Sequence, residues 1–349
     1  MLKISLYNFF DYYYFFHNFA KTKFKSMKTT FTLKVFILIG LIATTLVYAQ
    51  QVPLLNQYMF NKIMTNPAMS YQNEMGDLYA LHRSQWGSIP DAPVNQVLVF
   101  STPLQKNKNG FGIIITHDKA GLWDQTSGYA NYSHAVNINE DAIFSAGLNV
   151  GAFQRRYDFN RVVVKDNNDP ELYSNSFSRA TFDMSFGFNF KWKDFNSGFT
   201  LWQLLESRVR FNDPTGHFTK YITTRHLTWN ASYVIKAIEG GNFPLNVIPS
   251  IYLRYVTGVG SFSTAAPVQV DAQVVAESEK YGWIFIGYKH GYSLTSGIGV
   301  IVSKRLRAGL SYDFLYINDV KTYLGPAAEI FVSYQFSLSG KGNNSQTLY

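Results

Sequence analysis

The segment Phe182–Trp192, FDMSFGFNFKW, alternates without a break. Phe182, Met184, Phe186, Phe188, Phe190 and Trp192 hold one phase, and Asp183, Ser185, Gly187, Asn189 and Lys191 hold the other. Successive side chains of an extended strand point to opposite faces, so this pattern predicts a β-strand with one aromatic face and one polar face. Two folds accept such a strand. In a soluble sandwich the aromatic face meets a protein core; in a membrane barrel it meets lipid.

The same period recurs along the chain. IFSAGLNVGAF sets Phe144, Ala146, Leu148 and Val150 against Ser145, Gly147, Asn149 and Gly151. LRAGLSYDF sets Leu306, Ala308, Leu310, Tyr312 and Phe314 against Arg307, Gly309, Ser311 and Asp313. About fourteen such strands are expected, starting near residues 78, 94, 110, 127, 143, 181, 196, 226, 245, 267, 281, 294, 306 and 327. Many run for roughly 9–12 residues, the length a tilted strand needs to cross a bilayer. WKDFNSG and SKRL read as tight turns, whereas residues 162–179 and 206–225 read as long polar loops. Short turns at one end and long loops at the other are the habit of outer-membrane barrels.

Composition favours lipid over a soluble core. Aromatic residues make up 17% of the chain and charged residues only 15%, against about 25% charged in ordinary soluble domains. A mean hydropathy of -0.09 excludes a bundle of membrane helices. Gly, Ser and Asn dominate the polar faces, and a closed barrel has no edge and satisfies every backbone group, as lipid requires. The expected fold is all-β: a transmembrane antiparallel β-barrel of about fourteen strands over residues 78–338. Asp183, Asn189, Lys191, Arg307 and Asp313 are expected to face the lumen. Trp86, Trp123, Trp192, Trp202, Trp229, Trp283, Tyr255 and Tyr288 are expected in the interfacial girdles.

One long apolar run precedes the barrel, FTLKVFILIGLIATTLVYA, ending in Val47-Tyr48-Ala49. It reads as a signal peptide over residues 27–49 cut near Ala49, with a membrane anchor as the alternative. Met27-Lys28 looks like the natural start, and residues 1–26 like an upstream extension; residues 339–349 form a C-terminal tail. Lys3, Lys21, Lys23, Lys25, Lys28 and Lys34 against Asp11 give the first 49 residues +5 of the total +8, leaving +3 for the rest. That is too little to argue for a nucleic-acid partner. Cysteine is absent, so thiolate chemistry is excluded.

No constellation points to catalysis, a cofactor or a metal. The histidines after residue 49 are scattered, with no ligand spacing. Ser133 and His134 are adjacent in a strand and therefore point to opposite faces. VKDNNDPE (164–171) lacks the spacing of a calcium loop and reads as solvated. The informative non-strand region is residues 50–77, read either as a plug or periplasmic segment or as a partner contact. Asn66, Pro67 and Ala68 mark a turn there, since proline biases Asn66 to an extended conformation. Arg83 and Gln85 are placed on one face of the first strand, with Trp86 opposite.

These motifs are similar to those of the PorP/SprF family, membrane proteins of the type IX secretion system. The resemblance lies in QYMFNKIMTNPA within Leu54–Ala68, then RSQW (Arg83–Trp86), APVNQ (Ala92–Gln96), GFGIIITHDKAG (Gly110–Gly121), PVQVD (Pro267–Asp271) and GLSYDF (Gly309–Phe314). One departure is Ala327-Ala328-Glu329, where members often carry His before the Glu of the last strand. Glu329 is then the only carry-over at that place. The resemblance implies a non-enzymatic outer-membrane barrel that supports export or surface attachment of an adhesin with a type B C-terminal sorting domain, with gliding motility among the processes served. It implies as partners that adhesin, other secretion components (periplasmic or lipoprotein) and outer-membrane lipid. A porin or solute channel is the alternative from the transport class, and a hydrolase lacks a nucleophile–base pair.

Overall fold

A computed structural model describes residues 55–72, 75–105, 108–158, 177–212, 218–241, 243–261, 266–315 and 325–337. The expected signal peptide and upstream extension, the 164–171 loop and the C-terminal tail lie outside them. Each alternating segment forms a strand: β1 (Gly76–Ser84), β2 (Val94–Gln105), β3 (Asn109–Ala120), β4 (Trp123–Asn137), β5 (Ala142–Tyr157), β6 (Phe177–Trp192) and β7 (Phe195–Trp202). The hairpin β8 (Arg208–Asn212) and β9 (Phe218–Ile222) stands apart as a two-stranded sheet. The wall resumes with β10 (His226–Tyr233), β11 (Ile235–Ile238), β12 (Leu245–Val256), β13 (Gln269–Ser278), β14 (Gly282–Lys289), β15 (Ser293–Ile301), β16 (Leu306–Leu315) and β17 (Ala327–Phe336).

Neighbours in sequence pair antiparallel around the wall. The circle closes through β10 on β12 and through β1 on β17, in a register running from Gly76↔Phe336 to Ser84↔Ala328. β10 and β11 are one wall strand interrupted at Val234, whose amide donates to the Asp194 carbonyl instead. The result is a closed 14-strand antiparallel barrel. Its wall runs from Gly76 to Phe336, so it both starts and ends two residues earlier than the expected 78–338. Among the described residues no helix is long and apolar enough to cross a membrane; the wall is what crosses.

One rim carries the turns 106–108, 138–141, 193–194, 239–244, 279–281 and 302–305. At the other rim the strand ends are joined by seven connections, two of them short (121–122 and 290–292) and five longer (85–93, 158–176, 203–225, 257–268 and 316–326). By the rule for outer-membrane barrels the short-turn rim faces the periplasm.

Wall strands bury their polar face and expose their apolar face, the inverse of a soluble sandwich. Ile284, Ile298, Leu310, Phe314 and Ile330 are at least half exposed and point outward, and Phe182 is 76% exposed. Between them Ser145, Asn149, Asp183, Ser311 and Asp313 are nearly inaccessible. Lipid is therefore the solvent of the aromatic face of FDMSFGFNFKW.

Two expectations change. Trp283 is buried in the lumen, 4.5 Å from the Phe60 ring and 5.7 Å from Phe331, and Trp202 points inward, donating to Thr228 Oγ1 at 3.2 Å. Trp192, Trp229 and Tyr288 do lie on the outer surface. The reason for the first is phase: Trp283 and Lys289 are six apart in one strand, so the residue that needs the lumen takes the indole with it. The second is the segment 206–225, expected as a loop, which contains β8–β9. Two five-residue alternations are enough for a hairpin once Val209 has Phe153 to pack on. Arg155 clamps the same region, its guanidinium 4.1 Å from the Trp123 ring centre and 3.8 Å from that of Tyr221.

Candidate functional site

The lumen is filled by the chain's own residues 55–72. Three short helical pieces make this plug: a 3₁₀ turn (Tyr58–Phe60), one α-turn (α1, Lys62–Thr65) and a second 3₁₀ turn (Pro67–Gln72). Local chemistry explains the breaks. Asn61 caps α1 by accepting from the Met64 amide at 3.4 Å, and Thr65 Oγ1 donates to the Tyr58 carbonyl at 2.7 Å. Asn66 is extended (φ -155, ψ 123), as a residue before proline prefers to be. Its side chain then accepts from the Ala68 amide at 2.9 Å and starts the next turn. Phe60 and Ile63 pack with Tyr79, Leu81, Val97, Ile114, Phe285 and Phe331 of the wall into the barrel's apolar core. Burial pushes the phenols of Tyr58 and Tyr71 up, so both stay neutral.

The first arm of the plug, Leu55–Tyr58, docks on β12–β17 through charge. Glu329 accepts the backbone amides of Asn56 and Gln57 at 2.8 and 2.9 Å. Arg83 joins Glu329 (3.4 Å) to Asp313 (2.5 Å), both carboxylates being inaccessible to solvent. Lys289 lies 3.6 Å from Asp313 and donates to Asn56 Oδ1, while Asp313 also accepts from Thr295 at 2.6 Å. Gln273 Nε2 donates to the Asn56 carbonyl at 2.6 Å. Arg254 and Asp271 form a further buried pair on β12 and β13. Each ion has an opposite partner, and Asp313, Glu329 and Lys289 have neutral donors or acceptors as well, which is what keeps charge affordable away from water.

The second arm, Asn66–Gln72, docks on β3–β7 without charge. Asn66 Nδ2 donates to the Phe188 carbonyl at 2.7 Å, Asn131 Nδ2 to the Pro67 carbonyl at 3.0 Å, and Ser145 Oγ to the Ala68 carbonyl at 2.9 Å. Ser70 Oγ donates to Ser133 Oγ at 2.7 Å, and the Tyr71 amide donates to the same oxygen at 3.0 Å. Glycines of the wall make the approach possible, Gly147 and Gly187 among them. A Cβ on Gly147 would stand 2.2 Å from the Pro67 carbonyl oxygen, and one on Gly187 would stand 2.2 Å from Asn66 Oδ1.

Most of the residues singled out from sequence meet at this plug. Asn66, Pro67 and Ala68 are wholly buried turning points, and Arg83 is the centre of the ion cluster. Gln85 and Trp86 are not on the first strand, which ends at Ser84; both belong to the 85–93 connection, with Trp86 at φ +53. Gln85 there donates to Asn95 Oδ1 at 2.9 Å. Asp183, Asn189, Arg307 and Asp313 are buried inside the wall, and Lys191 is half-buried at the short-turn mouth. They do not form one group: Asp313 belongs to the Arg83 cluster, while Asp183 and Asn189 lie across the lumen on β6. Sequence reasoning missed Lys289 of the cluster and the Arg254–Asp271 pair, although Lys289 and Arg254 are each the lone charge on the lumen phase of their strands and Asp271 shares that phase of β13 with Glu277.

Below the plug a cavity of about 370 Å³ opens at the short-turn rim. Met59, Lys62 and Met69 of the plug face Lys191, Asn196 and Val234 of the wall across it.

The fold and the plug can now be set against known proteins. A family model described as type IX secretion system membrane protein PorP/SprF matches residues 47–334. The chain belongs to this family. It is thus an outer-membrane β-barrel and a membrane component of type IX secretion. No curated protein sequence matches it. Among solved structures it is similar to the CymD monoaromatic hydrocarbon channel, with 10% identity, TM-score 0.46, and 80% of this chain and 93% of that one covered. A Pseudomonas aeruginosa FadL homologue gives 10% identity, TM-score 0.42 and coverage of 80% and 94%. The KdgM porin gives 9%, 0.36, 74% and 99%. At these scores the likenesses decide nothing about what this PorP/SprF protein does.

Proposed function

We propose that this PorP/SprF barrel is a non-enzymatic, non-conducting scaffold of type IX secretion. It supports export or surface attachment of a secreted adhesin that carries a C-terminal sorting domain, and through it gliding motility. The observation that carries the reading is the plug. Residues 55–72 occupy the lumen and are hydrogen-bonded to both sides of it, an arrangement suited to a rigid platform rather than a pore. The long-loop rim offers the partner a surface outside the cell. The 370 Å³ cavity at the short-turn rim offers periplasmic components of the machinery a place to insert a side chain. The alternative, a solute channel, has fourteen strands in its favour and a filled lumen against it.

Deleting the gene tests the reading. Surface display of the partner adhesin is expected to disappear while bulk secretion of other substrates continues. Normal display in the deletion strain would overturn it.

A further inference from the structure

A second, smaller chamber lies across the lumen from the ion cluster, between the plug and β3–β7. It holds about 80 Å³ and is lined by the oxygen-bearing side chains of Asp118, Tyr129, Asn149, Asp183, Ser185 and Gln203. Met64 of the plug closes one side and Trp202 another.

The charge balance here differs from that of the ion cluster. Asp183 is 1% exposed, and among the described residues no side-chain cation pairs with it. Tyr129 donates to Asp183 Oδ2 at 3.2 Å, which leaves Oδ1 buried with no partner. Gln203 Oε1 is likewise buried without a partner, and the Gln203 backbone is held at φ +54, a conformation a residue with a side chain seldom adopts. Across β4–β7 and Gln203, the buried side-chain atoms left without a partner are Asn131 Oδ1, Asp183 Oδ1, Asn189 Oδ1, Thr200 Oγ1 and Gln203 Oε1. All are oxygens. Asp118 has the Asn95 amide at 2.8 Å, and the positive charge of this quarter is Arg155, which stacks on Trp123 and Tyr221 and donates to Gln125 at 3.2 Å. Among the described residues neither carboxylate is paired with that guanidinium.

A buried carboxylate without a counter-charge takes up a proton or acquires a cation. Carboxylate, amide and hydroxyl oxygens without nitrogen or sulfur are the ligand set of a hard cation, and divalent calcium tolerates the irregular geometry a lumen wall offers. The chamber has room for an ion and a few of its waters, since one water needs only about 10–15 Å³ by this measure. We propose that this chamber is a cation site of the calcium class, with Asp183 as its anionic anchor and Asp118 and Gln203 completing it. The proposal is independent of the scaffold reading.

Terbium is the probe, because it replaces calcium at oxygen sites and its emission is sensitised by a nearby indole. The purified full-length barrel, stripped with chelator and held in a non-ionic detergent, is titrated with Tb³⁺ while indole is excited. Saturable emission that excess Ca²⁺ removes is expected, and Trp202→Phe should lower the emission while leaving a calcium-dependent rise in thermal stability. Asp183→Asn should weaken the titration about tenfold or more, a neutral amide being the poorer ligand. If that variant does not fold, Asp118→Asn carries the same comparison. Absence of saturable emission from the wild-type barrel overturns the proposal, as does an unchanged titration in a folded Asp183→Asn; a protonated Asp183 would give the first result.

Discussion

The two arms of the plug are held in opposite ways. Leu55–Tyr58 meets a wall of charge, where Arg83, Lys289, Asp313 and Glu329 reach one another and the plug backbone. Asn66–Gln72 meets a wall of glycine, serine and asparagine, where close backbone approach and neutral hydrogen bonds replace ions. The difference is one of dependence. Every member of a buried ion cluster relies on the rest, because removing one leaves another charge in a poor solvent. Neutral contacts rely on shape, and the loss of one leaves its neighbours in place.

The largest effect is therefore expected at the first arm. Arg83→Met keeps the length of the side chain but leaves Asp313 and Glu329 with Lys289 alone among the cluster's cations. Removing one partner of a buried pair costs about 3–5 kcal/mol. Urea unfolding of the barrel in lipid vesicles reads this directly. A loss below about 1 kcal/mol, the scale of an exposed pair, would mean that water reaches the cluster and the contrast between the arms is false.

The second arm should break through shape. Gly147→Val puts atoms where the Pro67 carbonyl lies, so either the plug leaves this wall or the strand bends. Overpacking costs about 1–3 kcal/mol. The sharper readout is conductance across a planar bilayer: the wild-type barrel is expected to be silent and Gly147→Val to pass ions. Large stable channels from the wild type would remove the plug from the account altogether.

Both predictions depend on features that sequence revealed unequally. The fourteen wall strands start within four residues of the positions expected from alternation, because in a barrel the two faces meet two solvents and the period is enforced at nearly every residue. The lumen phase of β6 and β16 was legible for the same reason. What alternation does not carry is which strands lie opposite one another. Arg83 and Asp313 are 230 positions apart, and only the closure of β1 on β17 brings them together. Trp283 shows the same limit on one strand: in YGWIFIGYKH both phases are apolar, and Lys289 alone marks the one that faces inward. Asn66-Pro67 announced a turn, but the glycines that receive it sit 80 and 120 residues later. A close approach between such distant segments leaves no local signature. Glu329 was picked out only by resemblance, and its role as acceptor of two plug amides could not be read from either segment alone.

The smallest effect tests whether the neutral arm is redundant. Ser145 Oγ donates to the Ala68 carbonyl, one of several bonds that hold Asn66–Gln72. Ser145→Ala removes a single neutral hydrogen bond, worth about 0.5–1.5 kcal/mol net, and adds no bulk. Asn131 and Ser133 keep their bonds to Pro67 and to Ser70 and Tyr71, so the plug should stay seated and the bilayer should stay silent. Small destabilisation with no conductance separates this arm from the charged one, where a single change should unseat several contacts together. If Ser145→Ala opened the barrel as Gly147→Val is expected to, the neutral arm would be as cooperative as the ion cluster. Buried position, not charge, would then govern how the plug is held.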